Sequence, residues 1–186
     1  MLDKSAQAGR HTNADRKFDC YETPACAVEA LLRIESLPHF VWEPACGPGS
    51  IVRVLEAHGH KVLATDIENY GFGLTGVNFL NCPEPTTRAI VTNPPYQQAE
   101  VFVRKALALS PLVIMLLRLA FLESVRRTDI LEKSGLARIH VFRNRLPMMH
   151  RKGWDGPKAS SAMPFAWFVW EREYTGPITI DRISWE

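Results

Sequence analysis

The sequence predicts an α/β fold in which a mostly parallel sheet is covered by helices on both faces. Short, continuously apolar segments alternate along the chain with segments that carry apolar residues at helical spacing, and continuous apolar runs are typical of parallel strands buried on both faces. The composition is that of a globular chain, since 46% of its 186 residues are hydrophobic and 23% are charged. Residues 1–17 are polar and poor in large apolar side chains, so we predict a flexible tail there. No repeat or linker divides the rest of the chain, so we predict a single domain over 18–186.

Strands and helices are predicted in alternation along this domain. Thr23 and Pro24 are expected to begin the first helix, as its N-cap and its first helical residue. Ser50 is expected to cap the second helix, which Gly59 then ends. The further predicted helices are 98–109 and 121–133, and the predicted strands are 40–42, 61–65, 89–92, 112–117, 139–142, 165–170 and 178–183.

Charge and cysteine content exclude several classes of protein. The 22 basic and 20 acidic residues leave a net charge of +2, which by itself indicates neither a nucleic-acid nor a membrane partner. The four cysteines form no C-x-x-C pair and have no histidine at ligand spacing, so we expect no disulfide framework and no metal site. The chain begins without the apolar core of a signal peptide, and Pro111 and Arg118 interrupt its most apolar segment, 106–122. We therefore expect a cytoplasmic protein without a membrane partner.

Ligands of open α/β sheets bind at the carboxyl ends of the strands, and three predicted strand ends are unusual. The segment 43–49, EPACGPG, carries two glycines that let the backbone approach a ligand and present amide groups ahead of a helix. Val52 stands where a nicotinamide-binding fingerprint needs a third small residue, so that interpretation fails, and a plain strand–helix turn stays open. Asp66, about 20 residues after the first glycine turn, is placed to accept hydrogen bonds from ribose hydroxyls, or else to cap its own loop.

The third strand end, Asn93-Pro94-Pro95-Tyr96, is the most specific of the three. Two consecutive prolines fix the backbone and donate no N–H, which leaves carbonyl oxygens facing outward as acceptors. The amide oxygen of Asn93 beside the carbonyl of Pro94 makes a pair of acceptors suited to a planar NH2 group. Tyr96 adds a flat ring on which a base could stack. An exposed turn with the same residues is the alternative.

Four motifs occur in order: the segment 21–24 (YETP), the segment 43–49, Asp66 and the segment 93–96. With this combination, the chain resembles the S-adenosylmethionine-dependent amino-methyltransferases of the DNA adenine-N6 type, and most of all their small phage and prophage versions. The resemblance covers residues 18–170. It implies a Rossmann-like methyltransferase fold with a late antiparallel strand, S-adenosylmethionine as the cofactor, and DNA as the partner.

The resemblance also implies roles for individual residues. Asn93, Pro94 and Tyr96 match the catalytic motif, and Pro95 beside them faces the substrate. Asn78 stands where the family usually has aspartate beside the adenine ring of the cofactor. The implied cofactor contacts are Tyr21, Thr23, Pro24, Glu43, Ala45, Gly47, Gly49, Asp66, Ile67, Asn78, Phe79 and Asn93.

The chemistry that the resemblance implies is a direct transfer of methyl from sulfur to an exocyclic amino nitrogen. Hydrogen bonds from the NH2 group to Asn93 and to the Pro94 carbonyl would stabilise the positive charge that develops on that nitrogen. No metal is needed. A base in a duplex would first have to leave the stack, with Tyr96 replacing the lost stacking.

The segment 138–158 holds six basic residues and one acidic residue, a local excess of +5. Such a loop beside an active site suits the clamping of phosphates, and a solvated surface loop is the alternative. The residues proposed for substrate binding there are Arg143, Arg145, Arg151, Lys152 and Trp154.

Two other features are expected to be structural. The aromatic segment 165–170 could be mistaken for a base-stacking platform, but a strand of a two-faced sheet would place these side chains in the core. Arg118 could face the site, although an ordinary salt bridge is the expectation.

The alternatives to DNA methylation are methyl transfer to RNA or to a glutamine side chain of a protein, because the Asn-Pro-Pro-Tyr turn recognises an NH2 group and not its carrier. A non-catalytic, cofactor-binding accessory protein for nucleic acid is the alternative from a different class.

Overall fold

The computed structural model describes residues 21–83, 88–147 and 162–186. The predicted tail over 1–17 lies outside the described residues, as do Arg151, Lys152 and Trp154. The strands are β1 (Phe40–Glu43), β2 (Lys61–Ala64), β3 (Ala89–Thr92), β4 (Leu112–Arg118), β5 (Leu136–Phe142), β6 (Phe165–Glu171) and β7 (Thr179–Ile183). The helices are α1 (Ala25–Leu32), α2 (Ser50–Ala57), α3 (Ala99–Leu109) and α4 (Thr128–Glu132).

In the described ranges, these strands form one sheet in the order β2-β1-β3-β4-β6-β5-β7. The strands β2, β1, β3 and β4 pair in parallel, as do β5 and β7. Only β6 runs antiparallel to its neighbours, β4 and β5. The predicted α/β class with a mostly parallel sheet and a late antiparallel strand is therefore confirmed.

Apolar side chains alternate between the two faces of the sheet, and a different pair of helices packs on each face. Val91 and Ile114 belong to the buried cluster shared with α1 and α2, whereas Ile90 and Val113 belong to the buried cluster shared with α3 and α4. Neighbouring residues on a strand point to opposite faces, so a continuous apolar run feeds both cores.

The aromatic segment of β6 lies in the core, as predicted. Trp167 and Trp170 are fully buried and point to opposite faces of the sheet. The indole N–H of Trp167 donates to the Ala27 carbonyl of α1 at 2.9 Å, and that of Trp170 donates to the Ile130 carbonyl of α4 at 2.8 Å. This one strand therefore attaches a helix to each face.

The predicted helix starts are wrong in detail. Helix α1 begins after Pro24, which is itself the N-cap, and the hydroxyl of Thr23 accepts a hydrogen bond from Asn93 instead of capping the helix. Helix α2 begins at Ser50, and its N-cap is Gly49, in the left-handed conformation. Gly59 follows the end of α2 with a φ of 85°, as expected of a glycine stop.

The single helix predicted over 121–133 is also wrong. The chain forms two short 3-10 turns, Leu119–Leu122 and Val125–Arg127, before the short helix α4. Between them Ser124 has a φ of 141°, which no helix tolerates. Its side chain then accepts a hydrogen bond from the Arg126 N–H and begins the second turn.

Across the described ranges, no helix is long and apolar enough to cross a membrane.

Candidate active site

A cavity of about 340 Å³ opens at the carboxyl ends of β1 and β3, where ligands of open α/β sheets bind. The sequence-predicted residues that line it are Tyr21, Ala45, Gly47, Asp66, Ile67, Asn78, Phe79, Asn93 and Pro95. The lining residues that sequence reasoning missed are Pro44, Cys46, Pro48, Glu68, Tyr70, Val77, Gln97, Gln98 and Phe102. Most of these follow a predicted site residue by one to four positions, and that proximity was the available signal.

The turn after β1 is held by the strand end next to it. The N–H of Gly47 donates to one carboxylate oxygen of Asp66 at 2.8 Å, and the N–H of Glu68 donates to the other at 2.9 Å. Gly47 has a φ of 51°, which favours glycine. Asp66 therefore caps its own loop and fixes the turn, while it also lines the cavity.

Three predicted cofactor residues, Gly49, Thr23 and Pro24, do not line this cavity. Gly49 has a φ of 89°, and the ring of Phe72 occupies the space that a Cβ would need. Position 49 thus requires glycine for two reasons: the left-handed backbone of the turn and the close contact with the Phe72 ring.

Glu43, at the end of β1, is 2% exposed and does not line the cavity either. Burial raises the pKa of its carboxyl well above the ordinary value, and repulsion from Asp66 adds to this, against a hydrogen bond from the Val52 backbone. Its Oε2 atom is buried and has no hydrogen-bond partner among the described residues.

The Asn93 amide is held in one orientation. Its Nδ2 donates to the Tyr21 carbonyl and to the Thr23 hydroxyl, each at 3.1 Å. A carbonyl oxygen can only accept, so the NH2 group must face Tyr21 and the amide oxygen must face away. That oxygen, Oδ1, is buried without a hydrogen-bond partner among the described residues, in a side chain that lines the cavity.

Tyr96 begins a 3-10 turn that precedes α3 and lies beside the main cavity without lining it. Its ring is stacked with Tyr21 at 5.4 Å between centroids and is tilted against Phe165 at 5.6 Å. The guanidinium carbon of Arg118 lies over the same ring, 4.1 Å from its centroid. No ion pair joins Arg118 to a described residue, so the expected salt bridge is not formed within those ranges. Pro94 is buried.

The predicted substrate residues Arg143 and Arg145 line a different cavity, of about 330 Å³. Arg182 of β7, which the sequence did not single out, lines it too, as does Phe165, whose ring contacts Tyr96. This cavity is thus next to the Asn-Pro-Pro-Tyr turn but separate from the main one. The position of this cavity could not be predicted from the sequence, because one side of it is formed by Arg182 of β7, near the end of the chain.

Among the described residues, no group of three or more His, Cys, Asp and Glu side chains could hold a metal ion.

No protein-family profile matches the chain, and no curated protein matches its sequence. Solved structures do match. A candidate RNA methyltransferase from Pyrococcus horikoshii is 13% identical with a TM-score of 0.60, over 82% of this chain and 86% of that one. A modification subunit of a candidate type I restriction enzyme from Vibrio vulnificus is 13% identical with a TM-score of 0.62, over 87% of this chain and 46% of that one.

A candidate class I S-adenosylmethionine-dependent methyltransferase from Listeria monocytogenes is 10% identical with a TM-score of 0.55, over 86% of this chain and 62% of that one. The chain thus spans less than two thirds of two of these three structures. Together they show that the fold is the Rossmann-like fold of class I methyltransferases.

Proposed function

We propose that the protein transfers a methyl group from S-adenosylmethionine to an exocyclic amino group, and that the acceptor is N6 of adenine in DNA. The observation that carries this proposal is the amide of Asn93. Its NH2 group is bound on the protein side, and its oxygen is left as a buried acceptor at the cavity. A buried acceptor without a partner costs free energy, which a donor on a ligand would recover.

The main cavity fits the proposed cofactor. Gly47 brings backbone close to the ligand space, and Asp66 and Glu68 present carboxylates at the end of β2, where ribose hydroxyls would donate. Ile67 and Phe79 supply apolar contacts for an adenine ring. When bound there, S-adenosylmethionine supplies an electrophilic methyl group on a positively charged sulfur. The remaining predicted cofactor residues stay proposals.

The residues of the 93–96 turn would then act on the acceptor. Asn93 Oδ1 and the Pro94 carbonyl accept hydrogen bonds from the NH2 group, which orients its nitrogen and stabilises the positive charge that develops there. Pro95 lines the cavity and would contact the acceptor base. The ring of Tyr96 is already stacked with Tyr21 and lies under Arg118, so it would meet the base at its edge and not by the stacking that the sequence predicted. These groups need neither a strong base nor a metal, because the proton is lost after the nitrogen has become positive.

A nucleic-acid acceptor is supported by two kinds of observation. Two of the solved structures similar to this chain are named for RNA methylation and for restriction-modification. Arg143, Arg145 and Arg182 line a cavity next to the 93–96 turn, where phosphates would be attracted. Arg151, Lys152 and Trp154 remain proposed contacts on sequence grounds.

The test is transfer of labelled methyl from S-adenosylmethionine to unmethylated DNA, to RNA and to total protein. We expect label in DNA that digests to N6-methyladenine. Asn93→Ala should reduce the rate at least about a hundredfold, the usual cost of removing one group that stabilises developing charge. Asn81→Ala, the same change at an exposed residue, should retain the wild-type rate.

The other outcomes discriminate among the alternatives. Label in RNA or in a protein glutamine would keep the methyl-transfer mechanism and replace the acceptor. Cofactor binding with no label in any acceptor would contradict the proposed activity and favour an accessory protein.

A further inference from the structure

Arg118 is the last residue of β4 and lies at the carboxyl edge of the sheet, like the 93–96 turn. Its guanidinium stacks on the ring of Tyr96, 4.1 Å from the centroid. Arginine is well suited to this position because its flat, weakly hydrated cation can stack on an aromatic ring and still donate hydrogen bonds in the plane of the guanidinium.

The charge of Arg118 has no counter-ion among the described residues. Its Nε atom is buried and makes no hydrogen bond within those ranges. The neighbouring Arg127 provides the contrast, since it stacks on Phe121 in the same way but donates to Glu100 at 3.4 Å and to two backbone carbonyls. Within the part of the chain that the structure describes, Arg127 is thus neutralised and Arg118 is not.

The two arginines line one cavity of about 180 Å³, with Tyr96 and Phe121 as its aromatic walls. This cavity lies on the α3 side of Tyr96 and is separate from the two described above. A small cavity with an unpaired, partly dehydrated guanidinium favours an anion, and a phosphate group accepts the paired N–H bonds that a guanidinium offers.

We propose that Arg118 binds the phosphodiester next to the acceptor nucleotide while it stays stacked on Tyr96. This inference rests on the proposed nucleic-acid function and adds a contact that neither the motif nor the basic loop supplies. Through Tyr96, it links the position of the nucleotide backbone to the turn that holds the amino group.

The first experiment measures binding of fluorescent oligonucleotides that carry a single adenine, as DNA and as RNA, over a range of salt concentrations. Arg118→Gln should weaken binding about tenfold and reduce the slope of log affinity against log salt by about 1. Arg172→Gln is the matched control. It removes the same charge from the opposite edge of the sheet, where the Arg172 backbone bonds to Pro111, and should change neither quantity.

The second experiment locates the phosphate. The phosphates on either side of the adenine are replaced in turn by neutral methylphosphonates. At one of these positions, the replacement should weaken wild-type binding about as much as Arg118→Gln does, and combining the two changes should add little. Arg118→Lys should recover part of the salt slope, because its charge remains.

Three results would overturn the inference. The variant and every neutral replacement could prove additive, or the salt slope could be unchanged in Arg118→Gln; either result would leave Arg118 as a support for Tyr96 only. These two failures leave the methyl-transfer assay with wild-type protein unaffected, so they are separate from failure of the proposed function. Wild-type protein that binds neither DNA nor RNA would remove the nucleic-acid function and this inference together.

Discussion

At the scale of single residues, the chemistry of the 93–96 turn could be predicted because the residues that carry it are adjacent in the sequence. The contacts that hold the turn in place could not be predicted. The Thr23 hydroxyl, which accepts from Asn93, lies 70 positions away along the chain and was expected to cap a helix. Asp66 shows the same limit, since the cap of its own loop at Glu68 was one of the two sequence interpretations, whereas its bond to Gly47 in the neighbouring turn appears only in the fold.

The role of Thr23 is testable by an isosteric change. Thr23→Val removes the hydroxyl that accepts from Asn93 and keeps the shape of a side chain that is 4% exposed. The amide should then be held by the Tyr21 carbonyl alone, and we expect kcat for methyl transfer to fall about tenfold, the effect of about 1.4 kcal/mol. Thr23→Ser keeps a hydroxyl and should stay near wild type. Equal rates for all three proteins would show that this hydrogen bond does not position Asn93.

Glu43 should make the fold less stable as the pH rises. Its pKa is raised in the folded protein by burial and by Asp66, so the folded state keeps a proton that the unfolded state loses. Above pH 4.3, the ordinary value for glutamate, the free energy of unfolding should decline by up to about 1.4 kcal/mol per pH unit until the folded pKa is reached. Urea unfolding of Glu43→Gln should lack this decline. A constant difference between variant and wild type across that window would contradict the prediction.

At the scale of elements, apolar runs predicted the strands well because strands buried on both faces need such runs. The helix over 121–133 could not be excluded from its pattern, since apolar spacing does not reveal a residue such as Ser124, with its φ of 141°. The two turns around Ser124 place Phe121 and Arg127 at the small cavity beside Tyr96. The departure from the pattern thus falls beside the candidate site, where local rules are most often broken.

The two tryptophans of β6 should each contribute to stability through an indole hydrogen bond to a helix on their own face of the sheet. Trp167→Phe and Trp170→Phe each remove a buried N–H donor to a helix carbonyl and some ring volume, and we expect each to lower the free energy of unfolding by about 1–3 kcal/mol. Trp185→Phe removes an exposed bond of 3.3 Å and should cost less than about 0.5 kcal/mol. Denaturant unfolding measures all three variants. If the two buried tryptophans cost no more than Trp185, their indole hydrogen bonds do not stabilise the fold.

At the scale of the whole molecule, one buried ion cluster joins distant parts of the chain. Glu35, beyond the end of α1, accepts from Arg138 at 2.6 Å and from His140 at 2.7 Å, both on β5. Arg138 also pairs with Glu171 at the end of β6. The side chains of Glu35 and His140 are 8% and 4% exposed, so solvent water cannot take over the hydrogen bond between them. Sequence reasoning had no means of finding this cluster, because Glu35 lies more than 100 positions from both Arg138 and His140 along the chain.

This cluster should set the acid limit of stability. Burial raises the pKa of Glu35, but hydrogen bonds from His140 and Arg138 and the charge of Arg138 outweigh it and hold the pKa below its ordinary value. The stabilisation is therefore present above the unfolded value, about 4.3, and is lost as the pH falls through the folded pKa. Glu35→Gln should cost about 3 kcal/mol at pH 7, because it removes the buried carboxylate that accepts hydrogen bonds from Arg138 and His140.

Urea unfolding of wild type and Glu35→Gln from pH 7 to pH 3 tests this expectation. The two curves should converge as the wild-type carboxyl takes up its proton, since both proteins then carry a neutral group beside Arg138 and His140. Glu171→Gln, which removes the more exposed partner of Arg138, should cost less at pH 7. Because the Glu43 contribution falls as the pH rises, the free energy of unfolding should pass through a maximum between the two windows. A Glu35→Gln protein that stays equally far below wild type at pH 3 would show that it is the shape of the side chain, and not its charge, that the cluster requires.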